Sequence, residues 1–385
     1  MNASQKKLNA LINSRSFRIS YWIRNILHYI FLKKTKKPMS PQEIYNEYVK
    51  EPEINPTAHQ PKSFIRKNQG NDIGIITYFI CHPASHGWIL HGMADRIRKE
   101  MKLPSRVLFT GKFSNFRNEH SFRALFFMHF SLLLKYIRAN GYSGEKIYVW
   151  FTHMDGSKFD PEVPLVDALN VCSMIFVPNG RMMQSLIALG VHSTRIMVVL
   201  GGFDPERFTG HTRGNSPVCI VGGYYERKSP ELLMDVFKNL PDENFHIIGP
   251  VEQANKSILW SSSPFARIIS ELKNVKLIEC DWNENHKYIK ECDVYLSLAN
   301  NEGGPIPLLE CMAENLYPIV SETGFANDLI INNMDNGMII SCGSSIDIIA
   351  HAIRHARKCQ TNIRGTVFAY TWTRYSSIIA GIVDK

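Results

Sequence analysis

From Asp72 onward the chain alternates short, densely apolar runs with longer stretches whose apolar residues recur at helical spacing. The runs 73–80 (IGIITYFI), 106–110, 146–153 (KIYVWFTH), 173–178 (SMIFVP) and 195–200 (RIMVVL) read as buried strands. Helices are predicted around 86–101, over the long run 120–139, and around 179–190. The rhythm restarts at 217–223 (PVCIVGG), a strand that ends in two glycines, and continues with strands at 244–250, 275–280, 293–298 and 317–322. Helices fall at 229–239, from Pro307 onward, and around 345–358. Strands interleaved with helices imply a parallel sheet covered on both faces. Two such halves predict an α/β protein of two Rossmann-like doubly wound domains facing a central cleft, with a junction near 205–216. A ligand is then expected at the carboxyl ends of the strands. Architecture alone names no function.

Residues 1–70 break this rhythm. Between Phe17 and Leu32 the sequence FRISYWIRNILHYIFL places Ile19, Trp22, Ile23, Ile26, Leu27 and Ile30 on one helical face. Sixteen residues would span roughly 24 Å, short of a hydrocarbon core of about 30 Å, and two arginines interrupt the run. An amphipathic helix lying on an anionic membrane surface, helped by Lys33, Lys34, Lys36 and Lys37, fits this segment; so does a helix packed on the body. A helix at about 41–50 and a proline-rich linker to residue 70 follow.

Length and charge sharpen the picture. At 385 residues the chain exceeds the usual single domain, and 44% hydrophobic residues suffice for a core in each half. The net charge of +9 belongs to the arm: residues 1–37 hold nine Lys or Arg and no Asp or Glu, and the body is balanced. A nucleic-acid binder would carry its basic stripe on a folded surface, so no nucleic-acid partner is expected. The eight cysteines form no C-x-x-C pair and mostly sit in apolar runs, which fits a reduced, cytoplasmic compartment better than a disulfide framework. No cleavable signal peptide is evident.

Candidate chemistry follows the strand 293–298. Residues 299–313 read Ala-Asn-Asn-Glu-Gly-Gly-Pro-Ile-Pro-Leu-Leu-Glu-Cys-Met-Ala. Glu302 falls in a strand-to-helix loop and Glu310 about one turn into the helix that Pro307 can start. Gly303 and Gly304 let backbone approach a ligand, and a helix N-terminus favours an anion. An anion site between two hydroxyl-accepting carboxylates suits a nucleotide-sugar. Glu-x7-Glu by itself is equally a loop acid and a solvated helix acid.

The surrounding segments give this pair its context. Leu-Gly-Gly-Phe-Asp-Pro-Glu-Arg-Phe (200–208) resembles an N-G-V-D-x-x-x-F junction segment. Val-Gly-Gly-Tyr-Tyr-Glu-Arg-Lys-Ser-Pro (221–230) resembles a strand–loop–Lys segment, and Tyr370-Thr-Trp372-Thr-Arg-Tyr375 resembles a terminal F-S-W…Y helix. With residues 289–298, Tyr317-Pro318 and Glu322-Thr-Gly324 in the expected order, residues 170–380 resemble the retaining GT-B glycosyltransferases of the E-x7-E type (glycosyltransferase family 4-like). Matching over 72–170 is weaker.

That resemblance implies domains at 71–205 (acceptor) and 206–365 (donor), and a helix at 366–385 that crosses back to the first. It implies that Glu302 contacts donor-sugar hydroxyls and that Glu310 holds the nucleotide ribose. Lys228 stands beside the diphosphate, where a cation offsets the charge of the departing group. The amides of Gly303, Gly304 and Ile306, and the loop of Gly222, Gly223 and Arg227, complete the phosphate site. His153, ending the strand 146–153, is placed to reach the sugar, and His82, Ser85, His86 and Gly87 occupy the place of a glycine-rich loop; Asp155-Gly156 is a weaker acceptor candidate. Read without the resemblance, Lys228 is a solvated lysine before a helix and His153 a satisfied loop histidine.

Two departures stand out: Gly223 replaces a usual Arg, with Arg227 as a substitute, and Pro305 removes a backbone donor. No metal and no cofactor are expected. The implied activity is transfer of a sugar from a UDP- or GDP-linked donor to a glycan or polyprenyl-linked acceptor, at the inner face of a bacterial membrane in surface-polysaccharide assembly. The alternatives are a sugar-nucleotide epimerase and a degenerate transferase that only binds.

Overall fold

The computed structural model describes residues 76–86, 89–154, 158–251, 259–331 and 334–385. The arm expected over residues 1–70, Gly87 and Asp155-Gly156 lie outside the described residues. The described residues divide into two compact units: the first holds those up to Ala94, Leu103–Val177 and Arg181–Val198, and the second holds Val199–Lys385 with Asp95–Lys102 and Pro178–Gly180. Among the described residues no helix is long and apolar enough to cross a membrane.

Around the first sheet β1 (Thr77–Cys81), α1 (Ile89–Glu100, whose residues from Asp95 belong to the second unit), β2 (Ser105–Phe109), α2 (Phe116–Glu119), β3 (Ala124–Phe127) and α3 (Phe130–Asn140) come first. β4 (Lys146–Trp150), α4 (Leu165–Asn170), β5 (Met174–Val177), α5 (Gly180–Ala188) and β6 (Ile196–Val198) follow. The strands form one parallel sheet in the order β2-β1-β3-β4-β5-β6. The run 120–139 is not one long helix: Ala124–Phe127 is an inner strand between β1 and β4, and the helix starts only at Phe130. A strand buried on both faces has no alternation, so Ala-Leu-Phe-Phe running into an apolar helix shows no change of period. The boundary is set by His129, whose Nδ1 accepts from the Ser131 amide as an N-cap, and by Gly141 (φ +68°) at the far end. Phe126 stacks between Phe79 and Phe176 on one face of the sheet, with ring centroids 5.1 and 5.5 Å away.

The second unit repeats the plan with β7 (Val218–Val221), α6 (Pro230–Asn239), β8 (Phe245–Pro250), α7 (Ala266–Glu271), β9 (Val275–Cys280), α8 (Asn285–Ile289) and β10 (Val294–Ser297). It continues with α9 (Ile306–Ala313), β11 (Tyr317–Ser321), α10 (Ala326–Leu329), β12 (Met338–Ile340), α11 (Ile346–Lys358), α12 (Ile363–Val367) and α13 (Trp372–Val383). The parallel order is β12-β11-β10-β7-β8-β9. β12, three residues long on the sheet edge, is too short to leave a period in the sequence. The segment before β7 is pinned to α13: the Phe203 amide donates to Tyr370 O (3.1 Å) and the Trp372 amide to Phe203 O (3.1 Å). A Cβ on Gly202 would lie 2.5 Å from the Trp372 nitrogen, so only glycine permits this approach. All eight cysteines are free thiols, six of them buried.

The amino edge of β10 carries a polar staple. Asp293, 2% exposed, accepts from His211 Nε2 (3.1 Å) and from the amides of Gly214 (2.9 Å) and Ser216 (2.6 Å), tying the linker 211–216 to the sheet. His211 Nδ1 lies 3.6 Å from Glu314 Oε1, an ion-pair contact too long for a hydrogen bond. The Asp293 hydrogen bond, then Glu314, pushes the His211 imidazole up to about 9. Because the folded value lies above the unfolded one near 6.5, the stabilisation is complete below pH 6.5 and is lost as pH rises through about 9. Wild-type unfolding free energy should therefore fall by about 3 kcal/mol between pH 6.5 and 9.5 in urea titrations, and His211→Leu should lack that fall. An identical pH slope in both proteins would contradict the staple.

Candidate functional site

In the second sheet the chain runs outward from β7 to β8 and β9, then returns to the other side of β7 with β10. The switch point therefore lies between β7 and β10, where loops leave in opposite directions and open a crevice at the carboxyl ends. The two loops leaving these strands are those singled out by sequence, 222–229 and 298–305. They hold each other: the Asn300 amide donates to Arg227 O at 2.7 Å.

After β7 the chain turns at Gly222 in the left-handed region (φ +117°), and its carbonyl accepts from the buried Trp260 indole (2.9 Å). A short 3-10 turn, Glu226–Lys228, follows, and Ser229 takes φ +53° before Pro230 opens α6. A left-handed serine is a local strain, held here by the turn and helix on either side. This geometry folds the half-buried Lys228 back so that Nζ donates to Val221 O at 3.1 Å. Burial lowers the Lys228 pKa from its ordinary value; Glu302 opposes that and Arg227 adds to it.

A Cβ on Gly222 would lie 2.3 Å from Lys228 Nζ. Gly222→Ala is expected to add about 1–3 kcal/mol of backbone strain and to displace the ammonium. Its functional loss should be absorbed in the Gly222→Ala/Lys228→Ala double variant if both act through one ammonium. Full additivity of the two losses would show that Gly222 acts elsewhere.

Glu302, in the loop after β10, pairs with Arg227 Nη1 at 2.5 Å, and the same nitrogen donates to Asn301 O at 3.0 Å. The Arg227 guanidinium also lies over the Tyr225 ring, 4.8 Å from its centroid. Arg227 thus serves the Glu302 loop directly, and Gly223 is buried.

Behind the loop, Gly303 O accepts from Asn179 Nδ2 (2.6 Å). A Cβ on Gly304 would meet Phe325 at 2.9 Å, and one on Gly201 would meet the Ile306 side chain at 2.2 Å. Gly324 (φ +56°) packs so close beneath that a Cβ there would lie 2.5 Å from Pro305. These contacts fix the entry of α9. Pro305 is its N-cap and Pro307 follows Ile306, while the Leu308 amide donates to Pro305 O (2.8 Å). The helix start therefore offers an anion the Ile306 amide, with those of Gly303 and Gly304 before it.

Glu310 lies on the buried face of α9, 3% exposed, and Oε2 accepts from Asn285 Nδ2 at 3.3 Å. Burial pushes its carboxyl up to about 7, against the pull of Arg207, Asn285 and Arg96. Asn285 and Arg207 carried no sequence signal as site residues, although Arg207 stands in the junction segment 200–208. Among the described residues no group of three or more His, Cys, Asp or Glu is arranged to hold a metal ion.

His86 and His153 belong to the first unit, whose own switch point lies at β1, flanked by β2 and β3. His86 follows β1, exposed, with its ring 5.1 Å from His91 and 5.0 Å from Phe109. His153 follows β4, with Nδ1 2.9 Å from Thr152 Oγ1 and its ring 6.2 Å from that of His129. The structure thus gathers Gly222, Arg227, Lys228 and Glu302 into one cluster and sets Glu310 in the helix that follows Glu302.

Residues 206–364 match the family model described as Glycosyl transferases group 1. Comparison with curated protein sequences gives no match. Among solved structures the chain is similar to HepE from Anabaena in complex with UDP and glucose (12% identity, TM-score 0.62, 80% of this chain and 99% of that one). It is similar to the lipopolysaccharide outer core galactosyltransferase WaaB in its apo form (15%, TM-score 0.59, 80% and 98%). Sucrose-phosphate synthase from Thermosynechococcus elongatus is a third (11%, TM-score 0.64, 80% and 98%). The chain has the GT-B fold, and its second half matches the glycosyl transferases group 1 model.

Proposed function

We propose that this glycosyltransferase moves a sugar from a UDP- or GDP-linked donor to a glycan or polyprenyl-linked acceptor, with retention at the anomeric carbon, in bacterial surface-polysaccharide assembly. The observation that carries the reading is the meeting of the 222–229 and 298–305 loops at the switch point of the second sheet. There the Lys228 ammonium and the amides of Gly303, Gly304 and Ile306 would hold a diphosphate, Glu302 would accept sugar hydroxyls, and Glu310 the ribose hydroxyls. Neighbours solved with UDP, UDP and glucose, and UDP-glucose support a uridine donor as the first to test.

In the proposed step the bond from the anomeric carbon to the phosphate oxygen breaks, and the acceptor oxygen bonds that carbon from the same face. The acceptor proton goes to the departing phosphate, so no separate base is assigned. Lys228 stabilises the charge that develops on the diphosphate. The step needs no metal. His153 and His86 are proposed as contacts of donor sugar and acceptor. The basic segment 1–37 is proposed to hold the enzyme at the cytoplasmic face of the membrane. Co-sedimentation with anionic vesicles should be lost when Lys33, Lys34, Lys36 and Lys37 are changed to Glu; unchanged binding would sink that role.

A binding protein without transfer is the second reading. It is favoured by the Arg227–Glu302 pair, which occupies the signature acid, and by the two prolines at the start of α9. Incubation with UDP- and GDP-sugars plus lipid and glycan acceptors, read by NMR at the anomeric proton of the product, separates the readings. A product of retained configuration supports transfer, and inversion would overturn the mechanism. A free altered sugar nucleotide would point to an epimerase, and nucleotide binding without product to the binding protein.

A further inference from the structure

Arg207 and Asn285 are 78 positions apart in sequence, yet they stand in series behind Glu310. Arg207 Nη2 lies 3.2 Å from Asn285 Oδ1, and it also meets the carbonyls of Trp282 (3.1 Å) and Asn283 (2.9 Å). One guanidinium thereby fastens the turn after β9 to the first residue of α8. Asn285 is 1% exposed, so water cannot substitute for either of its partners. A guanidinium only donates. Arg207 must therefore face the amide oxygen, which turns the Asn285 NH₂ toward Glu310, where Nδ2 lies 3.3 Å from Oε2. The contact with Oε2 directs the remaining acceptor capacity of the carboxylate elsewhere.

We propose that Arg207 and Asn285 are positioning residues for Glu310: a hydrogen-bond relay that orients its carboxylate and holds it in the acceptor state that ribose hydroxyls require. The proposal rests on the donor reading above. A polar side chain buried to this degree costs stability unless its partners are exact in number and direction, and Asn285 has one on each end. The charged and titratable groups around Glu310 come from three elements. Arg207 and Asp204 belong to the junction segment, Arg96 to α1, and Cys311 to α9 itself, while His286 of α8 meets Arg207. Arg207, the amide of Asn285 and Arg96 favour the carboxylate; burial and Asp204 favour the acid. Losing either relay member therefore shifts the balance toward the protonated form, which presents one oxygen as a donor and one acceptor fewer.

The test is calorimetric titration of the full chain with UDP from pH 5.5 to 8.5, for wild type, Glu310→Ala, Asn285→Leu and Arg207→Lys. Wild-type affinity should rise with pH through a midpoint near 7. Asn285→Leu and Arg207→Lys should bind about tenfold more weakly at pH 7, with the midpoint moved up by about one pH unit and most of the loss recovered at pH 8.5. Two substitutions of different size keep the result readable if one of them unfolds the chain. An equal loss at every pH with an unmoved midpoint, or no loss at all, would overturn the relay. Failure of the underlying reading looks different: wild type and Glu310→Ala would bind UDP alike, or no nucleoside diphosphate would bind.

Discussion

Lys228→Ala should lower turnover by about a hundred- to a thousandfold, with a much smaller change in KM. The loop after β7 brings two cations to the site, and they are used differently. Arg227 is committed to Glu302 and the Asn301 carbonyl, whereas Lys228 holds, among the described residues, only the carbonyl of Val221. Breaking the bond to the sugar concentrates charge on the diphosphate, so an ammonium beside it stabilises the transition state more than the bound donor. Burial makes Lys228 a stronger electrostatic partner than an exposed lysine, because the charge is poorly screened, and Glu302 helps keep it protonated. Release of nucleoside diphosphate under saturating donor measures the effect. A raised KM with unchanged turnover would mean that Lys228 serves binding alone.

The second large effect concerns Glu310 and has two signs. Glu310→Gln should weaken nucleotide affinity by about ten- to a hundredfold, the loss expected when hydrogen bonds to a charged acceptor are removed. The same change should stabilise the fold at neutral and higher pH. In the folded chain the carboxyl is raised to about 7, above its unfolded value near 4.5. The folded state therefore binds more protons than the unfolded chain across that window, so its stability falls as pH rises from 4.5 to 7. Glutamine removes a penalty of up to about 3 kcal/mol, since the amide has no charge to bury. This window lies below that of His211, whose contribution is lost only as pH rises toward 9 and beyond. Urea titrations at pH 5 and pH 8 should show the gain only at pH 8. A variant less stable at both values would contradict the buried-charge account and leave Glu310 as a packing residue.

The two residues illustrate what the sequence could convey. Strands such as 218–221 and 294–297 were legible because a strand covered on both faces is an uninterrupted apolar run between glycines and polar loops. The same property hid 124–127, where the run continues into an apolar helix with no break between them. The loop position of Glu302 and the helix position of Glu310 follow from local spacing around Pro307, whereas Lys228 was singled out by the resemblance of residues 221–230. Their partners were not legible. Asn285 meets Glu310 across 25 positions, Arg207 meets Asn285 across 78, and His211 meets Asp293 across 82. Such contacts are fixed by the crossover of the chain between β9 and β10 and leave no trace in any local pattern. The side chain of Arg227 is a further case: its sequence neighbours suggest a phosphate cation, and its aim at Glu302 is decided by the loop after β10.

The most direct measurement of the central claim is the affinity of the full chain for UDP against 2′,3′-dideoxy-UDP, by calorimetry at pH 8, for wild type and Glu310→Gln. If Glu310 holds the ribose, wild type should lose about ten- to a hundredfold on removal of the two hydroxyls, and Glu310→Gln should scarcely distinguish the two ligands. Equal affinity of wild type for both nucleotides, or the same discrimination in the variant, would contradict it.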